Sequence, residues 1–483
     1  MSRDMRFAIV GAGMAGILSA VKLTEAGLTD FTIYEKADRV GGTWRENTYP
    51  GVACDVPSQL YCYSFALNAD WTHPYASGDE IEAYFERVAR EYDLERSIRF
   101  GEEIVSCEFV DGAWHLETAS GHQDEVDVVL AATGVLHHPS YPDIEGLDSF
   151  AGPAFHSARW DHDVPLVDKR VGVIGTGSTA VQITAAIVED VEHLSLFQRT
   201  AQWVMPQENP PYTDEMKEIF RHDPALLEKI HDELSQMFAD GFANAVVDAD
   251  SPGMKMLEDA CRDNLEQSVT DPELRERLRP DYRAACKRLV VSGDFYQAIQ
   301  QPNAELVTAG IECIEPGGVR TRDGVLHELD VLVLATGFHV DSFMRPMSVV
   351  GRDGTRLSDV WAERPNAYLS ISIPDFPNFF MLNGPNGPVG NFSLIEVAEL
   401  QFGYIMGLVE RIRSGECREI SATSDAMEHH EADRVEAAKK TVWTTGCRSW
   451  YLDDRGVPAT WPWPFDRFRA EMAAPKAEAF EMR

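Results

Sequence analysis

Phe7-Ala8-Ile9-Val10-Gly11-Ala12-Gly13-Met14-Ala15-Gly16 reads as a strand running into a glycine-rich turn. A helix-patterned run follows, Ile17 to Ala26, closed by Gly27, and then a second apolar run, Phe31 to Tyr34, ending in Glu35. The plan recurs further on. Val171-Gly172-Val173-Ile174 leads into Gly175-Thr176-Gly177-Ser178-Thr179-Ala180, a helix-patterned Val181 to Val188, and a strand-like His193 to Gln198 ending in Arg199. In each unit the terminal charge stands 24 positions after the first glycine.

The residue types carry a chemical reading. The first glycine permits a tight turn, the second lets a pyrophosphate approach the backbone, and Gly16 or Ala180 lets helix and strand pack closely. The phosphates then meet free N–H groups at the positive end of a helix. A carboxylate at the end of the second strand accepts hydrogen bonds from ribose hydroxyls, whereas an arginine there suits a 2′-phosphate. Glu35 therefore points to FAD at the first unit, and Arg199 points to NADPH at the second.

The whole chain fits that plan. Its 483 residues accommodate two or three domains, and 44% hydrophobic residues suffice for a large core. The net charge of −36 repels nucleic acid and anionic membranes. No apolar run has the length of a membrane span, and the first strand follows Met1 so closely that no signal peptide is expected. Eight scattered cysteines (Cys54, Cys62, Cys107, Cys261, Cys286, Cys313, Cys417 and Cys447) include no CxxC pair. They read as reduced thiols in a cytoplasmic protein. The absence of CxxxxC after the first fingerprint argues against a flavin disulfide reductase. No histidine spacing suggests a metal.

The expected fold class is α/β, with two Rossmann-like dinucleotide-binding domains and a helical insertion in the second. Residues 1–140 form the first part of the FAD unit, 141–168 a linker, and 169–340 the NADP unit. Residues 341–483 return to the FAD unit and supply a C-terminal pocket segment. The insertion, about 212–280, is charged and broken by Pro224, Pro252-Gly253 and Pro272. It reads equally as a lid or as a solvated appendage. Ala132-Thr133-Gly134 is echoed by Ala335-Thr336-Gly337. The run Asn383 to Pro388 precedes a long helix, Leu394 to Arg413, whose N-terminus suits negative charge on a flavin. Ser424 to Lys440 reads as a solvated helix. Trp443, Trp450, Tyr451, Trp461 and Trp463 read first as core, with pocket lining as the alternative.

Two further stretches carry a family resemblance. Phe150-Ala151-Gly152-Pro153-Ala154-Phe155-His156-Ser157-Ala158-Arg159-Trp160-Asp161 resembles FxGxxxHxxxW followed by Pro or Asp, the motif of type I Baeyer-Villiger monooxygenases. Gly41-Gly42-Thr43-Trp44 leads through Tyr49-Pro50-Gly51 to Asp55, similar to that family's GGxWxxxxYPGxxxD. The resemblance implies conversion of ketones to esters or lactones with O2 and NADPH through a C4a-peroxyflavin. It implies catalytic roles for Arg288 and for Asp55, which orients it. Gly11, Gly13, Ala15, Gly16, Glu35, Thr43, Trp44, Asp55, Tyr61 and Val105 are implied at the FAD site. Thr176, Gly177, Ser178, Thr179, Gln182, Arg199, Thr200 and Lys287 are implied at the NADPH site. Phe150, Gly152, His156 and Trp160 are implied in coupling domain movement to oxygenation.

One departure touches substrate scope. The family often has adjacent tyrosines and then Asn-Arg after the arginine, where this chain has Phe295-Tyr296 and then Gln300-Gln301-Pro302. A flavin monooxygenase acting on nitrogen or sulfur, and a non-catalytic NADPH sensor, are the alternative readings.

Overall fold

Each fingerprint builds the middle of its own parallel sheet. In the computed structural model, which describes residues 5–483, Phe7–Val10 lies between Phe31–Glu35 and Val128–Ala131, paired parallel to both. Ile98–Phe100 and Phe379–Met381 complete five strands. Phe7–Val10 and Val128–Ala131 are buried along their whole length. This is the near-continuous apolar pattern of strands covered on both faces. Arg170–Ile174 holds the same place in the second sheet, between His193–Phe197 and Val331–Leu334. Ala304–Val307 and Ala154–His156 form its edges.

Both fingerprint helices begin earlier than their apolar periodicity indicates, at Met14 and Ser178. The final fingerprint residues are already helical, and Gly13 and Gly177 take the capping positions. The two crossings between the units run side by side. Pro139 bridges to Phe338, Ser140 N–H donates to the Gly337 carbonyl at 2.8 Å, and His339 N–H donates to the His138 carbonyl at 2.9 Å. The echoed Ala-Thr-Gly segments thus feed one two-stranded junction.

The inserted stretch is helical, with Asp214–His222, Pro224–Phe238, Pro252–Ser268 and Pro272–Arg277 breaking at the prolines. It is not a detached appendage. Ala239 and Ala243 enter the core around the first sheet, while Ala245, Val246, Met254 and Cys261 pack with Trp443 and Tyr451. Leu394–Arg413 forms as expected, burying one face against the first fingerprint helix. In the aromatic tail Trp443, Tyr451, Trp461 and Trp463 are buried and Trp450 is exposed. No helix among the described residues is long and apolar enough to cross a membrane.

The cysteine reading requires correction. Cys286 and Cys447 are joined in a disulfide, 161 residues apart in sequence, and the other six cysteines are free thiols. Spacing alone does not reveal such a pair, because the fold brings the C-terminal segment onto the turn ahead of Val290–Val291. The bridge ties that segment to the turn that carries Lys287 and Arg288. Alkylation of the unfolded, unreduced protein is expected to label six thiols, rising to eight after reduction, read by intact mass; eight before reduction would remove the bridge.

Candidate dinucleotide and catalytic site

A long cleft at the carboxyl ends of the first sheet holds about 1370 Å³ free of protein atoms, part of it open to solvent. Gly11, Gly13, Ala15, Glu35, Thr43, Trp44 and Tyr61 line it. Gly16 does not. A Cβ there would stand 1.9 Å from the Gly11 carbonyl oxygen, so this glycine serves the contact between helix and turn. No side chain caps the helix Met14–Glu25, which leaves its positive end free for phosphate. Glu35 accepts N–H bonds from Ala12 at 2.8 Å and Ala37 at 2.9 Å, and from the Arg45 guanidinium at 3.0 Å. A carboxylate has about four acceptor positions, so capacity remains for a ribose hydroxyl. Strand alternation turns Ile104 into the cleft and leaves the Val105 side chain exposed, and Val105 does not line the cleft.

Sequence reading missed part of the wall. His137 and His138 line the cleft, and their Nε2 atoms lie 3.0 Å from the Phe343 and Arg345 carbonyl oxygens. Burial, reinforced by His138, pushes the His137 pKa down to about 4. Arg45 and Glu46 also line it. The adjacent pair RE at 45–46 falls between the quoted motif residues, and no spacing signal distinguishes it.

The second fingerprint opens to solvent. A Cβ on Gly177 would meet no protein atom within 4 Å. Protein packing does not require glycine there; the missing side chain leaves room for a pyrophosphate. The helix Ser178–Ile187 likewise has no side-chain cap. Thr176 Oγ1 donates to the Thr200 carbonyl at 2.7 Å, closing the turn onto the strand end that carries Arg199. Lys287 lies over the Tyr282 ring at 4.6 Å, and burial followed by the charge of Arg199 lowers its pKa. Neither cation forms an ion pair among the described residues. Two unpaired cations converging beside this turn fit a 2′-phosphate. The Gln182 side chain faces the other unit instead. It accepts from the Tyr49 hydroxyl at 2.8 Å and donates to the Ala53 carbonyl at 3.0 Å. Thr179 also bonds the Tyr49 hydroxyl, whose pKa is pushed up to about 12 by burial. The YPG loop is thereby pinned to the second unit.

That loop delivers Asp55. Its Oδ2 accepts from Arg288 Nη2 at 2.5 Å. The Asp55 charge, outweighing burial, raises the guanidinium pKa above its already high ordinary value. Arg288 thus stays cationic at every working pH. Its side chain retains 35% of its exposure, so a small molecule can reach it. Arg288 and Asp55 do not line the first cleft. Both act on the phenol of Tyr61, which does, and which accepts the Trp44 indole N–H at 3.2 Å.

The linker stretch lies between the two sites. His156 is fully buried at the edge strand of the second sheet, its ring 5.4 Å from Tyr141 and 5.8 Å from Phe338, one on each crossing. Its Nδ1 accepts the Ala158 N–H at 3.1 Å, and burial lowers its pKa, so the ring is neutral with its proton on Nε2. A Cβ on Gly152 would stand 2.3 Å from the Asp330 carbonyl oxygen. Phe150 packs against the sheet, and Trp160 meets Phe155 edge-on at 5.0 Å. Arg159, between the motif residues, pairs with Glu46 at 2.7 Å; Glu46 pairs with Arg45 at 2.5 Å, and Arg45 with Glu35. An unbroken ionic chain thus runs from the linker to the Glu35 carboxylate.

Residues 4–351 match the flavin-binding monooxygenase-like (FMO-like) family. The chain is 50% identical to an uncharacterised monooxygenase of Mycobacterium tuberculosis, over 99% of this chain and 96% of that one. It is 38% identical to a Baeyer-Villiger monooxygenase of Streptomyces coelicolor, over 97% of this chain and 90% of that one. Among solved structures, the cyclohexanone monooxygenase of Rhodococcus sp. Phi1 bound to NADP+ aligns over 99% of each chain with a TM-score of 0.88 at 31% identity.

The cation pair yields a quantitative expectation. A charge-assisted bond to phosphate is worth about 1.5–3 kcal/mol. Arg199→Ala should therefore raise the KM for NADPH by about one to two decades and leave that for NADH nearly unchanged. Equal loss with both cofactors, in steady-state assays, would detach Arg199 from the 2′-phosphate.

Proposed function

The chain belongs to the flavin-binding monooxygenase-like family, within its Baeyer-Villiger group, and uses FAD and NADPH; on that premise we propose that it inserts one atom of O2 beside a ketone carbonyl, giving an ester or lactone. The net reaction consumes ketone, O2, NADPH and a proton, and yields ester, water and NADP+. Bound FAD, reduced by NADPH, supplies the activation of O2.

The observation that carries this reading is Arg288, a permanent cation fixed at 2.5 Å by Asp55 and still accessible. Addition of an oxygen nucleophile to a carbonyl places negative charge on the substrate oxygen. A preorganised guanidinium favours that charge without reorganising, more strongly in a partly dry site than in water. Oxidation of a sulfide or amine develops no such carbonyl oxyanion, so the same cation has less to do there. Asp55 orients Arg288 and moderates its field. Trp44 and Tyr61 wall the adjoining cleft with apolar surface that restricts water.

In this reading Glu35 binds the FAD ribose, the free helix end above Gly13 binds its pyrophosphate, and Arg199 with Lys287 holds the NADPH 2′-phosphate. His156 and Trp160 serve the junction between the units. Arg288→Ala is expected to retain FAD, accept reducing equivalents from NADPH more slowly, and form no detectable ester from any ketone the wild type converts. Arg288→Lys should recover little, because an ammonium lacks the fork that meets Asp55. Ketone and sulfide assayed in parallel by chromatography provide the test. Near-normal ester from Arg288→Ala overturns the catalytic role, and sulfoxide or N-oxide without ester from the wild type moves the reaction to the other class.

A further inference from the structure

Tyr451 lies in the C-terminal segment and is 3% exposed. Its ring is held between Trp443, at 5.5 Å, and Trp450, at 4.1 Å. A buried phenol needs a partner for its hydroxyl. The ring packs in one cluster with Cys286 and Leu289, the residues flanking Lys287 and Arg288, and its oxygen lies in the field of the Arg288 guanidinium. The O–H stands 3.5 Å from the Gly390 carbonyl oxygen, to which it donates in a long hydrogen bond. Gly390 has φ +90°, and a Cβ there would sit 2.0 Å from the Tyr451 hydroxyl oxygen. The loop therefore reserves this space for the phenol tip. The neighbouring Val389 lines the FAD cleft.

We infer that Tyr451 is a positioning residue for Arg288, linking the guanidinium to the 383–390 loop of the FAD cleft through its hydroxyl. Asp55 holds Arg288 from the YPG loop, and Tyr451 holds it from the opposite end of the chain. Two oxygens on separate segments restrict a guanidinium fork far more than one does. The Cys286–Cys447 bridge stands beside this contact, since Cys286 lies two residues before Arg288 and Cys447 four before Tyr451. The covalent tie keeps the two segments together, while the phenol sets where the cation points. The aromatic packing around Tyr451 does not require its hydroxyl, so Tyr451→Phe separates packing from positioning.

The inference rests on the proposed role of Arg288, and its test keeps the two separable. Wild type, Tyr451→Phe and Arg288→Ala, each loaded with FAD, are compared in two readouts. The first is the reduction potential of bound FAD, measured against a reference dye. A cation held towards the flavin favours the reduced, anionic form, so Arg288→Ala is expected at a more negative potential and Tyr451→Phe between it and the wild type. The second is ester and hydrogen peroxide formed per NADPH. Tyr451→Phe should keep the KM for NADPH within about twofold, lose at least threefold in ester per NADPH, and release peroxide instead. A Tyr451→Phe potential equal to the wild type's, or an unshifted Arg288→Ala, overturns the positioning role. Shifted potentials in both variants, with no ester from the wild type on any ketone, leave the positioning role standing and overturn the ketone reading.

Discussion

The ion pair between Arg288 and Asp55 joins groups 233 residues apart and closes the two nucleotide units on each other. Charged groups leave water at a cost that only good geometry and further hydrogen bonds repay. Here the pair is short and partly exposed. Removing Asp55 would leave a sheltered cation without its counter-charge. Removing Arg288 would leave a carboxylate beside the cleft wall, where negative charge opposes the proposed chemistry. The pair therefore acts as a structural clasp between the units, and in the proposed reaction it is the source of the site's field.

The rest of the molecule supports that clasp. The YPG loop that carries Asp55 is bonded to Gln182, Tyr49 enters the core of the second unit, and a Cβ on Gly51 would stand 2.7 Å from the Gln182 carbonyl oxygen. On the other side, the disulfide and the inserted helices hold the Arg288 turn against the C-terminal segment. The chain of Arg159, Glu46, Arg45 and Glu35 connects the linker to the FAD cleft. Movement of one unit relative to the other therefore strains identifiable bonds at both nucleotide sites. That gives the linker motif a physical route to them.

What was legible in the sequence was what local rules govern. Buried parallel strands read as apolar runs, and the glycine turns and terminal charges stood at fixed distances from one another. The prolines marked where the inserted helices break. What was not legible depended on contacts between distant segments. Nothing in the spacing of Cys286 and Cys447 announced a bridge, and Tyr451 was one aromatic among five in a tail that reads first as core. Arg45, Glu46 and Arg159 looked like ordinary polar residues until the fold aligned them. The Val105 side chain is exposed because a one-residue step along a strand reverses its face. The Gln182 amide is engaged by the facing loop, a contact between distant segments.

The most direct test of the clasp as the origin of oxygen insertion is Asp55→Ala. The substitution leaves the charge of Arg288 intact and removes the group that aims it. With FAD bound, NADPH present and a ketone that the wild type converts, labelled O2 reports by mass spectrometry how much ester carries one atom from the gas, and a peroxide assay reports the remainder. NADPH oxidation should continue, with labelled ester falling at least tenfold per NADPH and peroxide taking its place. Labelled ester at the wild-type yield per NADPH would contradict it.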